Sequence, residues 1–244
     1  MKKLVSLILV LCMACLLIPA MAEEAVTGDW FLQTMEMEGR TIQAAQVGYL
    51  IKMTLNEDGT CKMDAMGQVS DGTWTMEGTT ITVTVDDSPA SGEVADGTIT
   101  LAQEGGAMIF SREETKGIEI AAAVTAESAE AFYGEYTWAY LGVEGTVMDP
   151  AAMGETEVTT LKIGEGTMEF SGEGMYAMIL GMMGLQPAFE DGKLALTSTM
   201  EGMNASGTAE LLEDGMVKIS VDSNGSVMDF YFAPAAAGAE APAA

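Results

Sequence analysis

Asp-Gly pairs that separate short stretches of alternating apolar and polar residues constrain the fold more than any other feature of this sequence. In residues 54–74 a β-prone stretch ends at Leu55, Asp58-Gly59 follows, and a second β-prone stretch begins. Glycine tolerates the positive φ of a tight turn, so Asp-Gly between such stretches predicts a β-hairpin. We interpret Asp71-Gly72 as a second turn, which leads into Trp74. The stretch therefore predicts antiparallel β structure.

The same device recurs throughout residues 28–112, which we divide into about eight short strands with frequent turn residues. Residues 81–85 alternate strictly between apolar side chains and threonine, as a half-buried strand does. Residues 41–47 break the pattern, and we interpret them as a short helical or irregular turn that ends at Gly48. Short strands at this spacing predict an antiparallel sandwich or barrel.

The pattern starts again in the second half of the chain. Gly28-Asp29-Trp30 is matched by Gly134-Glu135-Tyr136, and the order of turns that follows is similar, up to Met108-x-Phe110 and Met228-x-Phe230. A period of this length corresponds to a whole domain, so we predict two copies of one domain. The copies span residues 23–112 and 132–232. Residues 113–131 form a linker with a short helix over 126–132, and its length disfavours the alternative, a single larger barrel.

The two ends of the chain are predicted to lie outside these domains. Lys2 and Lys3, an apolar run over 4–18 and the small-x-small site at 20–22 indicate a signal peptide over residues 1–22. The run is shorter than the ~20 residues of a membrane span, so we expect no integral span after cleavage. The protein is then extracytoplasmic, either secreted or associated with the cell surface. Residues 233–244 are low-complexity Ala and Pro, which predicts a disordered tail.

An alternative to ordinary cleavage of the signal peptide is processing as a lipoprotein, with a lipid attached at Cys15. Cys15 follows the small Ala14, as a lipoprotein signal requires. The position three residues earlier should be aliphatic, but it is Cys12. The match is therefore weak, and we expect a freely cleaved signal peptide.

Charge and composition exclude several classes of function. The chain has 37 acidic and 10 basic residues, a net charge of −27 and no histidine. A nucleic-acid-binding protein needs a basic surface, which this composition does not supply. The lack of histidine removes Ser/His and Cys/His catalysis and most zinc sites. Cys61 is the one cysteine after residue 22, so it has no intramolecular partner, and we interpret it as an inert thiol. We predict a protein that is not an enzyme and uses no cofactor or metal.

A methionine cluster in residues 174–189 is the candidate binding segment. It comprises Met175, Met178, Met182 and Met183 at near-helical spacing. One interpretation is core or lid packing, because methionine fills irregular apolar gaps. A second is a Cu(I) site, because thioethers are soft ligands. A third is that the segment caps a barrel mouth and contacts an apolar ligand.

The motif order of the first half resembles the lipocalin-like domains of secreted bacterial proteins. It comprises Gly28-x-Trp30, a glycine turn at Gly39, Leu55-x-x-Asp58-Gly59-Thr60, Asp71-Gly72-Thr73-Trp74 and a closing aromatic strand with Phe110. The resemblance implies an eight-stranded up-and-down barrel that binds at best a small apolar molecule. It also implies that a basic residue after the last strand, here Arg112, packs over Trp30. Residues 134–232 match less well, because Tyr136 replaces the tryptophan and Phe232 stands opposite Arg112.

The sequence therefore predicts an all-β protein of two tandem antiparallel up-and-down barrels, joined by a short, partly helical linker. We expect an exported protein that binds a small apolar ligand, held in the second domain under residues 174–189. The alternative is a cell-surface interaction module that contacts a protein partner and whose barrels are filled.

Overall fold

The computed structural model describes residues 26–37, 39–103, 105–199, 205–223 and 226–235. The chain divides into two compact units between Gly117 and Ile118. Each unit is an antiparallel barrel-like sheet, so the predicted all-β architecture of two barrels is confirmed. The predicted signal peptide lies outside the described residues, as do all but the first three residues of the predicted tail.

The first unit is a closed barrel of eight strands that run up and down in chain order. Its sheet closes because β1 pairs on one side with β3 and on the other with β9, while the short β2 pairs only with the end of β1. A 3-10 helix, Ala44–Val47, follows β2. The strands are β1 Gly28–Met37, β2 Arg40–Gln43, β3 Ile51–Leu55, β4 Thr60–Ala65, β5 Gln68–Glu77, β6 Thr80–Val85, β7 Ser88–Ala95, β8 Thr98–Gln103 and β9 Gly106–Ser111.

The core of this barrel follows from the two-residue period of its strands. In β3 the side chains of Ile51, Met53 and Leu55 are buried, while those of the residues between them face outward. Alternate side chains of a strand point to opposite faces, so one face of each strand supplies the interior. The largest fully buried side chains of this core are Trp30 and Phe110.

The turns agree with the sequence at Asp58-Gly59 and differ at Asp71-Gly72. The turn that follows β4 is Met66-Gly67, and Asp71 and Gly72 lie inside β5. A Cβ at Gly72 would lie 2.2 Å from the carbonyl oxygen of Thr84 on the neighbouring strand. Glycine is needed here because two strands approach closely. In the sequence, such a glycine after an aspartate cannot be told from the Asp-Gly of a turn.

The second unit has the same succession of strands, but its barrel is nearly closed. Eight strands form one path, with β14 at one end and β15 at the other, and β10 and β12 add short pairings to β17 and β11. The elements are β10 Ala123–Val124, β11 Gly134–Val143, β12 Thr146–Met148, β13 Thr160–Gly164, β14 Thr167–Ser171, α1 Met175–Met182, β15 Leu185–Glu190, β16 Lys193–Ser198, β17 Ala205–Leu212, β18 Val217–Ser223 and β19 Ser226–Pro234.

The β-bulge near the start of each barrel fixes which residues correspond. In β1 the pairing with β9 shifts between Leu32 and Thr34, and in β11 the pairing with β19 shifts between Trp138 and Tyr140. Leu32 pairs with Phe110, and Trp138 pairs with Phe232. Phe232 therefore corresponds to Phe110, whereas the sequence comparison had matched Phe230 to it.

This register also changes the expected counterpart of Arg112. Because Phe232 corresponds to Phe110, the residue two positions later, Pro234, corresponds to Arg112. The sequence comparison had placed Phe232 opposite Arg112, which is two residues too early.

Residues 113–131 are divided between the two units. The hydroxyl of Thr115 donates to the carbonyl oxygen of Leu32 at 2.6 Å in the first unit, and β10 pairs with β17 in the second. The predicted helix over 126–132 is a four-residue 3-10 helix, Ala129–Phe132, which buries Phe132.

Candidate functional site

One end of the first barrel is closed by an aromatic ring and a guanidinium group. Trp30 is 2% exposed, and its Nε1 donates to the carbonyl oxygen of Val26 at 2.7 Å. The Arg112 guanidinium carbon lies 3.8 Å from the centre of the Trp30 ring. The expected packing of Arg112 over Trp30 is therefore confirmed.

Arg112 also ties down the chain that leads into β1. Its Nη1 donates to the carbonyl oxygen of Asp29 and its Nη2 to that of Thr27, each at 2.8 Å. A planar guanidinium can make two such bonds and lie flat on a ring at once. We call this end, formed by Trp30 and Arg112, the base.

The other end of the first barrel holds a cavity of about 540 Å³. Its walls include Met35 from β1, Met63 from β4 and Met108 from β9, together with Ile51 and Ala65. Met35 and Met108 are directly paired across β1 and β9, so their side chains are neighbours on the inner face. We call this end, formed by Met35, Met63 and Met108, the methionine mouth.

The methionine mouth has the size and chemistry of a small-molecule site. Ligand sites in proteins are concave and mostly apolar, with volumes of roughly 300–1,000 Å³. Thioether side chains adapt their shape to what they contact, because they are unbranched and have several rotatable bonds. The Tyr49 ring, 40% exposed, adds a partly polar rim. The volume and the methionine walls of this end match the apolar part of a small molecule.

The corresponding end of the second barrel is filled by aromatic rings. Tyr176 of α1 lies 4.9 Å from Trp138 and 6.0 Å from Phe230, measured between ring centres, and Trp138 lies 6.1 Å from Phe230. Phe230 pairs with Leu141 across β11 and β19, and Met108 pairs with Met35 across β1 and β9. The Phe230 ring thus occupies the position that Met108 has in the first barrel, and Leu141 occupies that of Met35.

The base of the second barrel has a hydrogen bond equivalent to that between Trp30 and Val26, but the position of Arg112 is taken by an uncharged residue. The Tyr136 hydroxyl donates to the carbonyl oxygen of Phe132 at 2.9 Å, four residues back along the chain, as Trp30 does to Val26. Burial raises the pKa of the Tyr136 hydroxyl. Pro234 stands where the first barrel has Arg112.

The structure separates the four methionines that the sequence had grouped. Met175, Met178 and Met182 lie on one exposed face of α1, and each side chain is more than half exposed. Met183, which follows the helix, is 7% exposed and belongs to the core of the second barrel. Tyr176 is the α1 side chain that reaches the rings at the barrel end.

The remaining candidates for chemistry are buried or dispersed. Cys61 is buried in the first core, and burial raises the pKa of its thiol, which opposes formation of a nucleophilic thiolate. In the described part of the chain, no three His, Cys, Asp or Glu side chains come together in a way that would hold a metal ion. None of the described helices has the length and apolar character needed to cross a membrane.

No protein-family model matches this chain, and no curated protein sequence matches it significantly.

Sequence reasoning missed the methionine mouth. Met35, Met63 and Met108 are spread over three strands, and none belongs to a local cluster. A partial signal was present, because Met35 and Met108 lie on their strands away from the end that carries Trp30. Finding it required knowledge of the bulge after Leu32, which shifts the alternation of β1 by one residue and turns Met35 inward.

Proposed function

We propose that this protein binds a small apolar molecule in the methionine mouth of its first barrel. The observation that carries the proposal is the apolar cavity of about 540 Å³, open at the end opposite the base. The expected position, in the second barrel under residues 174–189, is less favourable because Tyr176, Trp138 and Phe230 fill that end.

We further propose that both units are lipocalin-like domains and two copies of one domain. An eight-stranded up-and-down barrel, a Gly-x-Trp strand and a cation over the tryptophan support this for the first unit. The shared strand succession and the shared bulge support it for the second.

Export and the absence of catalysis remain part of the same proposal. The first 22 residues have the pattern of a cleaved signal peptide, which favours a secreted or surface-associated carrier. The lack of histidine and the buried Cys61 favour binding over catalysis.

Native mass spectrometry of the purified full chain with an alkyl probe such as decanol tests the binding site. We expect one bound probe per chain. The double variant Met63→Phe and Met108→Phe, which copies the aromatic character of the second barrel, should abolish binding by filling the cavity. The matched control Met178→Phe adds the same ring on an exposed helix and should bind as wild type does. Equal binding by the double variant would place the ligand elsewhere.

A second candidate function is protein interaction through α1. The exposed face formed by Met175, Met178 and Met182 is an apolar surface on a helix next to the open β14–β15 seam. Exposed apolar patches of this kind commonly mark contact sites. Cross-linking from position 178, introduced as Met178→Cys in a Cys61→Ser background, should capture a specific protein in the native host. Capture that persists after Met175→Glu and Met182→Glu would rule out this surface.

A further inference from the structure

We propose that the ligand of the methionine mouth is an amphiphile whose polar end is cationic, such as an alkyl amine. This inference rests on the proposed function, and it names the class of molecule that the same site selects. It follows from where the charges lie around the mouth.

The described residues that form the cavity wall include no lysine or arginine. Glu36 is the one charged residue among the described residues that form it, and Tyr49 and Gln103 are its neutral polar groups. A fatty acid held with its chain among the methionines would leave its carboxylate near Glu36 with no cation in the wall. Like charges at short range repel, whereas an ammonium group in the same place would be attracted.

The turns around the mouth add further negative charge. Asp86 and Asp87 form the whole turn between β6 and β7, both with positive φ. The Asp86 carboxylate accepts a hydrogen bond from Ser70 at 3.1 Å, and Ser70 is the cross-strand partner of Met63 in the cavity wall. The Asp86 carboxylate is therefore held close to the mouth, and Asp87 follows it in the same turn.

The nearest basic groups offset this negative field only in part. Lys52 faces the outside of the barrel, where its Nζ lies 2.8 Å from the Asp29 carboxylate, and Asp64 and Glu114 also raise its pKa. Arg40 is exposed at the start of β2 and pairs with the wall residue Met37, so its single charge opposes the charges of Glu36, Asp86 and Asp87. The whole chain carries a net charge of −27, so the more distant field also repels anions.

A tyrosine ring at the rim suits a cation as well. Tyr49 is 40% exposed and lies at the wall of the cavity, where its ring face can meet an alkylammonium group. Cation–π contacts favour organic cations, which lose less hydration than small inorganic ions on binding. The aromatic rim therefore suits the cationic head of the proposed ligand, and the methionine walls suit its apolar chain.

The test uses three probes of equal chain length at pH 7.5: decylamine, decanol and decanoate. Dissociation constants for the full chain are measured by calorimetry below the micelle concentration, in low and in high salt. At low salt we expect decylamine to bind about tenfold more tightly than decanoate, with decanol between them. At about 1 M salt the screening length falls to about 3 Å, and the three affinities should converge to within about twofold.

A pair of charge variants shows where the discrimination arises. Asp86→Asn with Asp87→Asn removes two charges near the mouth, and asparagine tolerates the positive φ of that turn. This variant should reduce the amine-to-carboxylate ratio about threefold at low salt. The matched control, Glu57→Gln with Asp96→Asn, removes two charges from turns at the base end and should leave the ratio unchanged.

The outcomes separate this inference from the function on which it rests. Equal affinity for all three probes at low salt, or a preference for decanoate, would overturn the cationic head and leave apolar binding intact. An equal loss of discrimination in both charge variants would overturn the role of the mouth. Failure of all three probes to bind would overturn the binding function and the inference together.

Discussion

The two barrels share a strand order but differ in what they place at the end opposite the base. In the first barrel, β4 connects to β5 through the two-residue turn Met66-Gly67, and methionines surround a cavity. In the second, β14 connects to β15 through α1, and Tyr176 from that helix packs on Trp138 and Phe230. One insertion thus accounts for both the open seam and the filled end.

The difference teaches that strand succession alone does not decide whether a barrel can hold a ligand. Eight strands enclose an interior that side chains can fill or leave partly empty. The first barrel is held shut at its base by Trp30 and Arg112, with flexible methionines at the other end. In the second barrel the rings of Tyr176, Trp138 and Phe230 pack together at the corresponding end.

The largest expected effect concerns the base of the first barrel. Trp30→Ala removes a fully buried ring and should destabilise the protein by about 3–5 kcal/mol, as other buried aromatic truncations do. Chemical denaturation followed by circular dichroism measures the loss. Replacement of the exposed Tyr49 by alanine is the control and should cost under about 1 kcal/mol. A loss that small for Trp30 as well would contradict its place in the core.

The next prediction concerns a substitution that should open the filled end of the second barrel, so that it resembles the first barrel. Tyr176→Ala should cost about 2 kcal/mol, because a partly buried ring loses its contacts with Trp138 and Phe230. The space it leaves should admit a second decanol molecule, seen by native mass spectrometry. Met178→Ala on the same helix removes an exposed side chain and should change neither stability nor stoichiometry. An unchanged stoichiometry for Tyr176→Ala would show that the ring does not close this end.

A further comparison isolates the cation at the base. Arg112→Met keeps an apolar stem over Trp30 but loses the two hydrogen bonds to carbonyl oxygens, and we expect a loss of about 2 kcal/mol. Arg112→Lys keeps the charge without the planar fork and should recover only part of it. Thermal denaturation ranks the three proteins. Full recovery by lysine would show that charge alone matters at this site.

The smallest effect is a dependence of stability on pH that arises at the base of the first barrel. Hydrogen bonding to Lys52, and secondarily to Thr54, lowers the pKa of the Asp29 carboxyl against the opposing effect of burial. A lowered folded-state pKa adds stability above the unfolded value, near 3.8, that is lost as pH falls through the folded value. The pair is about half exposed, so the gain is below about 1 kcal/mol.

Denaturation of Asp29→Asn and wild type at pH 7 and pH 3 measures this contribution. The difference in stability between the two proteins at pH 7 should shrink at pH 3, because protonation of Asp29 begins to remove the contribution below about 3.8. A difference that is as large at pH 3 as at pH 7 would assign the effect of the substitution to something other than the charge of Asp29.

Much of the architecture could be predicted from the sequence because turn chemistry and alternation are local. Asp58-Gly59 and the alternation of residues 81–85 mark their turn and strand correctly. Asp71-Gly72 was misread because a glycine required for close strand approach resembles one required for a turn. The seam between β14 and β15 could not be foreseen, since it depends on where α1 packs.

The candidate site was harder to predict because it depends on register. Met35 faces the interior because of the bulge after Leu32, and no residue type at that position indicates a bulge in the sequence. The methionines at 175, 178 and 182 have helical spacing, but spacing does not show which helix face is buried. Arg112 over Trp30 was anticipated only through a family resemblance, since the two residues are far apart in sequence and meet through barrel closure.

The pairing of the first strand with the last strand also determines when during synthesis the first barrel can close. β1 and β9 of the first barrel lie at opposite ends of its chain, and synthesis makes the N-terminal end first. The barrel cannot be completed until Ser111 has been made, and until then Trp30 and Leu32 lack the neighbours on β9 that bury them. A nascent chain that stops before Gly106 is therefore a curved sheet with two unpaired edges, open to association with other chains.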